Sequence, residues 1–365
     1  MPESTPTTSF PALPRADRRT RLQNSLLAWF GTAKRDLPWR RNRDAYGIWI
    51  SEAMLQQTRI ATVIDYWLAF IHSFPTVQDL AQASEEQVLA RWSGLGYYSR
   101  ARSLHRAARS IVADHGGEFP RDRKTALVLP GVGEYTAGAV LSIAYGLPEA
   151  LVDGNVERVF TRVFGLRAVS GSAPLRKHTW DLARRCLHGA SPGDWNQALM
   201  ELGATVCTPG EPHCHACPWS RLCVARRRGE ASAWPSPKPR RKPVELKVAG
   251  LWVVNKGGLL LSRRPAKGSM AGMWELPTQQ SQCPGASALW LGDWMPGLGV
   301  AGPECLFEAK HAITHHRIGM TVLKGKVTRK ALSSNPSTLR WFAWGQLENQ
   351  PLTGLTRKAL AHLAP

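Results

Sequence analysis

Four of the seven cysteines in this 365-residue chain lie within one short, proline-broken stretch, CTPGEPHCHACPWSRLC. They are Cys207, Cys214, Cys217 and Cys223. A disulfide framework is disfavoured by the odd cysteine total and by a reducing cytoplasm. The compact spacing, with one CxxC pair and two flanking cysteines, suits four thiolates around an iron–sulfur cluster better than a zinc ribbon. The sequence therefore predicts a metal-holding loop.

The first residues give no sign of a targeting segment. MPESTPTTSF is polar and contains proline, unlike the charged start and apolar run of a secretory signal. No stretch of about eighteen apolar residues could span a membrane. We expect residues 1–18 to be a disordered tail, the protein to be cytoplasmic and nucleoid-associated, and no membrane to be involved.

The balance of charge indicates a polyanionic partner. Lys and Arg number 47 against 27 Asp and Glu, which gives a net charge of +20. Such an excess attracts nucleic acid, although a merely basic, soluble protein would have the same composition. A chain of 365 residues is long enough for two domains with separate cores.

The residues between 19 and 225 have helical periodicity. A capping box is predicted from Ser84 and Gln87, and Gly116 with Gly117 is predicted to end a later helix. That later helix has one apolar stripe, formed by Leu104, Ala107, Ala108, Ile111 and Val112. No convincing alternating strand is present, so residues 19–225 are predicted to form an all-α domain that ends in the cysteine loop.

The pattern changes after a basic, proline-rich stretch. Residues 226–245 contain RRRGEASAWPSPKPRRKP and are predicted to form an extended linker. Residues 246–365 have two β-rich runs around Asn-Lys-Gly-Gly at 255–258, further strand-like runs, and a closing helix in TGLTRKALAHL. The fold class predicted is therefore multidomain, with an α+β domain after the helical one.

A tight Gly-Val-Gly turn precedes an apolar helix in LPGVGEYTAGAV, residues 129–140. Amides at Gly131 and Gly133 would point outward at the start of that helix, where they suit a phosphate. This pattern predicts a helix-hairpin-helix that grips the DNA backbone without regard to sequence. An ordinary corner between two helices is the alternative.

Two carboxylates in different surroundings are candidates for acid–base chemistry. Glu52 lies within the apolar stretch SEAMLQQTR, where burial would raise its pKa and make it an acid. Asp153 lies at a turn into a helix in VDGNVERV. Cleavage of a glycosidic bond uses such a pair. The alternatives are a solvated surface residue for Glu52 and a helix N-cap for Asp153.

The segments SEAMLQQT, SGLGYYSRAR, LPGVGEYTAGAV, VDGNVERV and the cysteine loop occur in this order in the helix-hairpin-helix DNA glycosylases. With a further domain beyond the linker, the chain resembles the adenine DNA glycosylases of the MutY type over about residues 20–363. The resemblance implies a base excision repair enzyme that removes adenine mispaired with 8-oxoguanine or guanine in double-stranded DNA. It also implies a [4Fe–4S] cluster on the four cysteines, and we expect a monomer.

The resemblance assigns roles to matching positions. Glu52 would protonate the adenine ring, Asp153 would stabilise the oxocarbenium-like sugar, and Asn155 would help to position a catalytic water or carboxylate. The adenine pocket and the residues that enter the base stack would comprise Trp39, Arg40, Glu201, Gln57, Thr58, Leu95 and Tyr97. For Leu95 and Tyr97, ordinary core packing is the alternative.

Tyr135 occupies the position at which strand-cutting relatives such as endonuclease III have a lysine. A phenol cannot form a Schiff base, so the resemblance implies base hydrolysis with little or no lyase activity. Two alternatives remain open. One is an endonuclease III-like glycosylase and lyase on oxidised pyrimidines, and the other is a non-catalytic protein that binds damaged DNA.

The C-terminal domain resembles the Nudix fold through GMWELP, residues 272–277. The following residues lack the paired glutamates that hold metal in Nudix hydrolases, so a reader of 8-oxoguanine is predicted instead of a pyrophosphatase. The family's reading loop has an aromatic-Ser-His core. Here Ile313 replaces the aromatic residue, and Thr314 and His315 would hydrogen-bond the lesion. Simple contacts with the phosphates or a groove are the alternative.

Overall fold

The computed structural model describes residues 10–239, 242–266, 268, 270–281, 297–313, 315–334 and 337–365. Contacts divide the chain into two compact units. Unit 1 contains the residues up to Ala81 together with Arg106–Pro239, and unit 2 contains Gln82–His105 together with the residues after Pro239. The sequence assigned Gln82–His105 to the first domain, whereas these contacts group it with the second.

The helices up to Pro239 run in close succession. They are α1 (Ala16–Ala33), α2 (Ala45–Leu55), α3 (Ile60–Ser73), α4 (Val77–Gln82), α5 (Glu85–Trp92), α6 (Ser99–Asp114), α7 (Arg123–Val128), α8 (Glu134–Tyr145), α9 (Gly154–Phe164), α10 (Ala173–Cys186), α11 (Pro192–Thr205) and α12 (Val224–Arg227). Short 3-10 helices cover Pro38–Arg40, Cys214–Ala216 and Ala231–Ala233. A single bridge between Val169 and Ser236 is the only β-pairing among residues 10–239, so the all-α prediction is confirmed there.

Local sequence signals explain several of these helix ends. The capping box of Ser84 and Gln87 is present at the start of α5. Gly116 and Gly117, with φ of 61° and 81°, follow the last turn of α6 in the left-handed conformation. Four members of the predicted α6 stripe are buried, whereas Val112 is 37% exposed. Val112 follows Ile111 directly, and so it lies at the edge of the apolar face.

Parts of both segments that were predicted to be unstructured are ordered. Helix α1 begins at Ala16, within the predicted tail of residues 1–18, and the ring of Phe10 stacks on His178 at 4.8 Å. In the predicted linker of residues 226–245, Trp234 is buried, and its carbonyl oxygen accepts a hydrogen bond from Arg162 Nε at 2.8 Å. Aromatic side chains in both segments bury apolar surface, which offsets the entropy lost on ordering.

One hydrophobic core of unit 1 lies between α1, α8, α9, α10 and α11. Trp195 of α11 and Trp219 of the cysteine loop are fully buried, with ring centroids 6.0 Å apart. The indole of Trp219 also donates a hydrogen bond to the carbonyl oxygen of Leu22 in α1 at 3.0 Å. The cysteine loop is therefore anchored to the helical core by one large side chain.

The described residues of unit 2 include two four-stranded sheets. Its strands are β1 (Val244–Trp252), β2 (Val254–Asn255), β3 (Gly258–Arg263), β4 (Trp274–Glu275), β5 (Thr278–Ser281), β6 (Leu298–Ile313), β7 (His316–Val327) and β8 (Leu339–Ala343). The first sheet has the order β5-β1-β7-β6, with β1 and β7 parallel. The second has the order β2-β3-β4, with β8 also paired to β3. The predicted hairpin at 255–258 is confirmed by the antiparallel pairing of β2 and β3.

Helices α13 (Arg329–Ser334) and α14 (Gly354–Leu363) complete unit 2, and α14 confirms the predicted closing helix. Residues Gln82–His105 join this unit through polar contacts. Arg102 of α6 donates to the carbonyl oxygen of Ala271, and Arg263 of β3 pairs with Glu86 of α5 at 3.2 Å. None of the helices in the described part of the chain is both long and apolar enough to cross a membrane.

Gly138 of α8 provides a test of the helix packing in unit 1. A Cβ atom at this position would overlap the carbonyl oxygen of Ala150, so the two backbones can approach only because residue 138 is glycine. We expect Gly138→Ala to lower the free energy of unfolding by about 1–3 kcal/mol. The matched control is Gly31→Ala in α1, where a Cβ meets open space and should stabilise by about 0.5–1 kcal/mol. Thermal or denaturant unfolding measures both, and equal effects would contradict the close approach.

Candidate active site

A cavity of about 500 Å³ lies between α2, α8, α9 and α11 in unit 1. Side chains from all four helices and from the loop after α2 line it. It brings together many of the residues predicted from sequence: Trp39, Arg40, Glu52, Gln57, Thr58, Tyr135, Asp153, Asn155 and Glu201. The predicted base pocket and the predicted carboxylate pair therefore belong to one site.

Glu52 is only 4% exposed, so a solvated surface position is wrong for this residue. It lies in α2, whose residues 47–54 are all buried. Burial raises the pKa of Glu52 to about 7, and the charge of Asp153 adds to that rise. A hydrogen bond of 2.6 Å from the Tyr135 hydroxyl and the charge of Arg40 oppose it. The carboxyl can therefore carry a proton near neutral pH and give it up to a base.

Asp153 is the N-cap of α9, as the structural alternative predicted. Its Oδ1 atom accepts a hydrogen bond from the backbone N–H of Val156 at 2.7 Å, and Oδ2 accepts one from Asn155 Nδ2 at 2.8 Å. Burial raises the pKa of Asp153, while these hydrogen bonds and the charge of Arg158 counteract the rise. The cap and a role in the cavity are compatible, because the same carboxyl also lines the site.

Arg158 connects this carboxylate to the cysteine loop, and the sequence did not single it out. Its Nη2 atom donates to Asn155 Oδ1 and to the carbonyl oxygen of Gly203, each at 2.8 Å. Its Nε atom donates to the carbonyl oxygen of Cys207, also at 2.8 Å. One guanidinium therefore fixes the orientation of Asn155 relative to the first cysteine of the loop. The sequence did contain one signal for Arg158. It lies three residues after Asn155 on α9, and side chains at that spacing are neighbours on a helix surface.

Glu201 of α11 is also a buried carboxylate. Its pKa is lowered by its surroundings, whereas the pKa of Glu52 is raised. Arg35 Nε lies 2.6 Å from Glu201 Oε1, and Arg40 Nη2 lies 2.9 Å from Oε2. Burial alone would raise the pKa of Glu201, but the hydrogen bond from Arg35 and the charge of Arg40 outweigh it and lower the pKa. Glu201 therefore stays ionised and fixes two cations beside the cavity. The sequence contains no local signal for Arg35, because its partner Glu201 lies on a distant helix.

The predicted helix-hairpin-helix is present between α7 and α8. Gly131 has a φ of 80°, which favours glycine, and Gly133 is the N-cap of α8. Val132 between them is buried and fixes the turn. These glycines do not line the cavity, so the turn is a separate feature of unit 1.

Gln57 and Tyr97, both predicted to enter the base stack, have left-handed backbone conformations, with φ of 59° and 46°. Such conformations cost of order 1–3 kcal/mol in non-glycine residues and occur preferentially at functional sites. Gln57 lines the cavity of unit 1, whereas Tyr97 is in unit 2, where its side chain is 45% exposed. Leu95 is only 6% exposed, which matches the packing alternative in this structure.

The predicted reading loop lies at the tip of the hairpin formed by β6 and β7, where Ile313 pairs with His316. His315 is in the turn, and its ring centroid is 4.1 Å from that of His316. Thr314 and the side chain of Ile313 lie outside the described residues. The structure therefore positions only one of the two predicted lesion contacts.

The four clustered cysteines line one small cavity in unit 1, together with Arg162 and Arg226. Arg162 Nη1 approaches Cys207 Sγ at 3.4 Å, and Cys223 Sγ lies 3.3 Å from the carbonyl oxygen of Arg162. Within the described ranges, no group of three or more His, Cys, Asp or Glu is arranged to hold a metal ion. Four thiols around a shared space nevertheless fit the donor set of a cluster that is larger than one ion.

Comparison with known proteins gives these features a family. Residues 50–185 match the HhH-GPD superfamily of base excision DNA repair proteins, and residues 248–362 match the NUDIX domain. A rat (Rattus norvegicus) adenine DNA glycosylase is 38% identical over 93% of this chain and 77% of its own length. The chain belongs to the adenine DNA glycosylase family.

Solved structures agree on the fold of the helical part. A thermostable thymine-DNA glycosylase is 32% identical, with a TM-score of 0.53, over 58% of this chain and 98% of its own. Endonuclease III trapped covalently on DNA is 23% identical, with a TM-score of 0.51, over 59% of this chain and 99% of its own. The predicted fold class, a helix-hairpin-helix glycosylase domain followed by an α+β Nudix-like domain, is confirmed.

The raised pKa of Glu52 has a consequence for stability. Its folded pKa of about 7 lies above the ordinary value of 4.5, so the unfolded chain loses the proton first as pH rises. Wild-type stability should therefore fall between pH 4.5 and about 7 and level off above, by roughly 3 kcal/mol at most. Glu52→Gln removes this loss, so its stability relative to wild type should increase over the same window.

Denaturant unfolding at pH 5 and pH 8 measures the difference. Glu118→Gln is the matched control, because the Glu118 carboxyl is 76% exposed on the surface of unit 1. We expect the control to change by no more than a few tenths of a kcal/mol between the two pH values. A pH-independent difference between Glu52→Gln and wild type would contradict the buried, protonated carboxyl.

Proposed function

We propose that the protein is a DNA N-glycosylase that hydrolyses the N-glycosidic bond of adenine mispaired with 8-oxoguanine or guanine in double-stranded DNA. Membership of the adenine DNA glycosylase family supports the choice of adenine. The observation that carries the chemistry is a pair of carboxyls on one cavity, the buried Glu52 and the half-buried Asp153. An adenine inside a duplex cannot reach this cavity, so the nucleotide must be extruded from the helix.

Glu52 is the general acid of the proposed reaction. Because its pKa is about 7, a large fraction of the carboxyl is protonated at neutral pH. Transfer of that proton to a ring nitrogen lets adenine leave as a neutral molecule. The Tyr135 hydroxyl, 2.6 Å away, then donates to the carboxylate that remains. Water then adds to the sugar carbon and gives its proton to the Glu52 carboxylate, which completes the hydrolysis and restores the acid.

Asp153 stabilises the positive charge that develops on the sugar. Its hydrogen bonds from Val156 and Asn155 favour the anionic form of the carboxyl, which faces the developing cation. Asn155 is itself held by Arg158, so the oxygen atoms of Asp153 have a fixed direction. Preorganised charge of this kind needs no rearrangement at the moment of reaction.

The wall of the cavity next to Glu201 suits a purine. Arg35 and Arg40 present N–H groups that are fixed by the buried carboxylate, and purine ring nitrogens accept such hydrogen bonds. Trp39 is buried beside them and offers an aromatic surface for the base. This combination of fixed donors and an apolar surface supports recognition of an extruded adenine.

Tyr135 supports hydrolysis without strand cutting. A lyase needs an amine that attacks the sugar and forms a Schiff base. The side chain beside Glu52 is a phenol, and burial together with the charge of Glu52 raises its pKa well above the ordinary range. A neutral phenol is a hydrogen-bond donor here and forms no Schiff base, which favours a monofunctional enzyme.

Binding to the DNA backbone is assigned to the turn between α7 and α8, with the net charge of +20 as a long-range contribution. Strained residues Gln57 and Tyr97 are proposed to enter the base stack, because side chains inserted there replace lost stacking. The turn between β6 and β7, with His315, is proposed to contact 8-oxoguanine. A cytoplasmic, nucleoid-associated location follows from the proposed substrate.

We also propose that Cys207, Cys214, Cys217 and Cys223 hold a [4Fe–4S] cluster with a structural role. The four thiols line one cavity, and Trp219 anchors the loop between them to α1. Hydrolysis of a glycosidic bond transfers no electrons, so the cluster supplies stability to the loop and no step of the reaction. Arg226 lies at the same cavity and brings positive charge to the loop.

The catalytic proposal is tested by single-turnover release of adenine from a duplex with adenine opposite 8-oxoguanine. Wild type should release adenine, and the strand should break only after hot alkali. Glu52→Gln should slow release by at least about a hundredfold, since it removes the general acid. Borohydride should trap no covalent complex with wild type.

Each contrary result has a distinct meaning. Strand breakage without alkali, with borohydride trapping, would favour the glycosylase and lyase alternative. Absence of release by wild type would favour the damage-binding alternative. Glu118→Gln is a control for general loss of charge, because its side chain is exposed. This control should release adenine at the wild-type rate.

The cluster is tested with Cys214→Ser. We expect this variant to lose the visible absorbance of an iron–sulfur protein and to unfold at a lower temperature, because one of four ligands is missing. Cys186→Ser is the matched control, since Cys186 is buried in α10 and does not line the cysteine cavity. Full iron content and unchanged stability in Cys214→Ser would overturn the ligand assignment.

A further inference from the structure

Residues 93–98 form a glycine-rich loop whose conformation is fixed within unit 2. Arg100 Nη2 donates to the carbonyl oxygens of Leu95 and Gly96, each at 3.2 Å. The Arg100 guanidinium also lies over the ring of Tyr97, 5.5 Å from its centroid. The backbone of Tyr97 is held in the left-handed region by these contacts. The loop therefore presents an exposed aromatic side chain on a strained, well-supported backbone.

The start of this loop is bonded to the C-terminal part of the chain. Ser93 is buried, and its hydroxyl accepts a hydrogen bond from Arg357 Nε at 2.9 Å. The same hydroxyl donates to the carbonyl oxygen of Leu352 at 3.4 Å, and Arg357 Nη2 donates to that of Gln350 at 3.5 Å. Ser93 lies in the HhH-GPD match and Arg357 in the NUDIX match. Within unit 2, Arg357 therefore connects the segment that matches the HhH-GPD model to the segment that matches the NUDIX model.

We propose that Ser93 and Arg357 form a clamp through which the Nudix-like domain positions the loop that opens the duplex. Arg357 is then a positioning residue for base extrusion and touches neither substrate nor reacting atoms. The inference rests on the proposed function, because it requires an adenine that is extruded. A charge-assisted hydrogen bond to a buried hydroxyl is directional, so it can hold Ser93 in one place.

The sequence after Ser93 explains why the loop needs such a clamp. Gly94 and Gly96 have φ of 110° and 71°, and glycine restricts its own backbone little. With two glycines between Ser93 and Tyr97, local chain stiffness cannot fix the aromatic side chain. Hydrogen bonds hold the loop instead. Within the loop region, Trp92 Nε1 donates to the carbonyl oxygen of Gly96 at 3.1 Å, and Gly94 N donates to the Tyr98 hydroxyl at 3.2 Å. Arg357 adds the hydrogen bond at the first residue, Ser93, from the C-terminal part of the chain.

Loss of the clamp should leave the segment attached to unit 2. Arg102 still donates to the carbonyl oxygen of Ala271, and Glu86 still pairs with Arg263 at 3.2 Å. These contacts are made by α5 and α6, on either side of the loop. The clamp can therefore be removed while the helices stay docked, and its effect on the loop can be measured separately.

The test compares wild type with Arg357→Met, Ser93→Ala and the double variant. Lys358→Met is the matched control, because Lys358 is adjacent on α14 and donates instead to the carbonyl oxygen of Lys310 at 2.7 Å. In a Glu52→Gln background, each protein binds a duplex with 2-aminopurine opposite 8-oxoguanine. The rise in fluorescence reports extrusion of the base without cleavage. Single-turnover release of adenine is measured in the proteins that retain Glu52.

We expect Arg357→Met to reduce extrusion and the rate of adenine release by about tenfold, the size of one charged hydrogen bond. Ser93→Ala should have a similar effect, and the double variant should lose no more than either single variant, because both remove one interaction. Lys358→Met should match wild type. With adenine opposite an abasic site, where no pair has to be broken, the loss should shrink to about twofold.

The clamp is overturned if Arg357→Met extrudes and releases adenine as wild type does, or if the single losses simply add. It is also overturned if release of the unpaired adenine falls equally, since that result indicates damage to the catalytic cavity. Arg357→Lys keeps the charge and most of the packing, and it should be intermediate. Thermal unfolding of Arg357→Met and Arg357→Lys shows whether each variant is folded, so loss of the hydrogen bond can be distinguished from loss of the fold.

Failure of the clamp and failure of the proposed function give different results. If wild type releases adenine and Arg357→Met equals it, only the clamp is wrong. If wild type releases no adenine from any duplex, the proposed function is wrong. The fluorescence comparison then still decides whether Arg357 affects extrusion, because it needs no cleavage.

Discussion

The burial of one carboxyl group is the constraint on which the active-site cavity depends. Glu52 lies in α2, a helix buried along residues 47–54. Removing its ionised carboxylate from water is unfavourable and lowers the free energy of unfolding. The neutral form relieves most of that cost, so the same burial that opposes stability supplies a proton donor near pH 7. Stability and function are in direct conflict at this residue.

Two buried glutamates in one cavity show how the surroundings decide the role of a carboxyl. Glu201 accepts hydrogen bonds from Arg35 and Arg40, and these lower its pKa despite burial. Glu52 has one phenol as its hydrogen-bonding partner, and its pKa rises. A charged carboxylate orients cations, and a neutral one donates a proton, so the cavity needs both environments. Exchanging their partners would exchange their chemistry.

Much of the site could be predicted from sequence, because its motifs are local. Asp153 caps the N-terminus of α9, as expected for an aspartate that precedes a helix, and the hairpin glycines adopt the expected turn. The burial of Glu52 could not be derived from local pattern, since it depends on α3 and α8 packing against α2. Arg35 and Arg158 were missed because they are two among 47 Lys and Arg. Arg35 is distinguished by the distant carboxylate of Glu201, and Arg158 by the distant carbonyl oxygens of Gly203 and Cys207.

The same limit applies to domain boundaries. Residues Gln82–His105 have the helical periodicity and motifs of the first domain, yet their hydrogen bonds with Arg357 and Ala271 place them in the second compact unit. Periodicity records which face of a helix is apolar, and it carries no information on which neighbour covers that face. This segment therefore belongs to one domain by sequence and to another by contact. Tyr97 lies on that segment, so the placement of its side chain depends on residues more than 250 positions later in the chain.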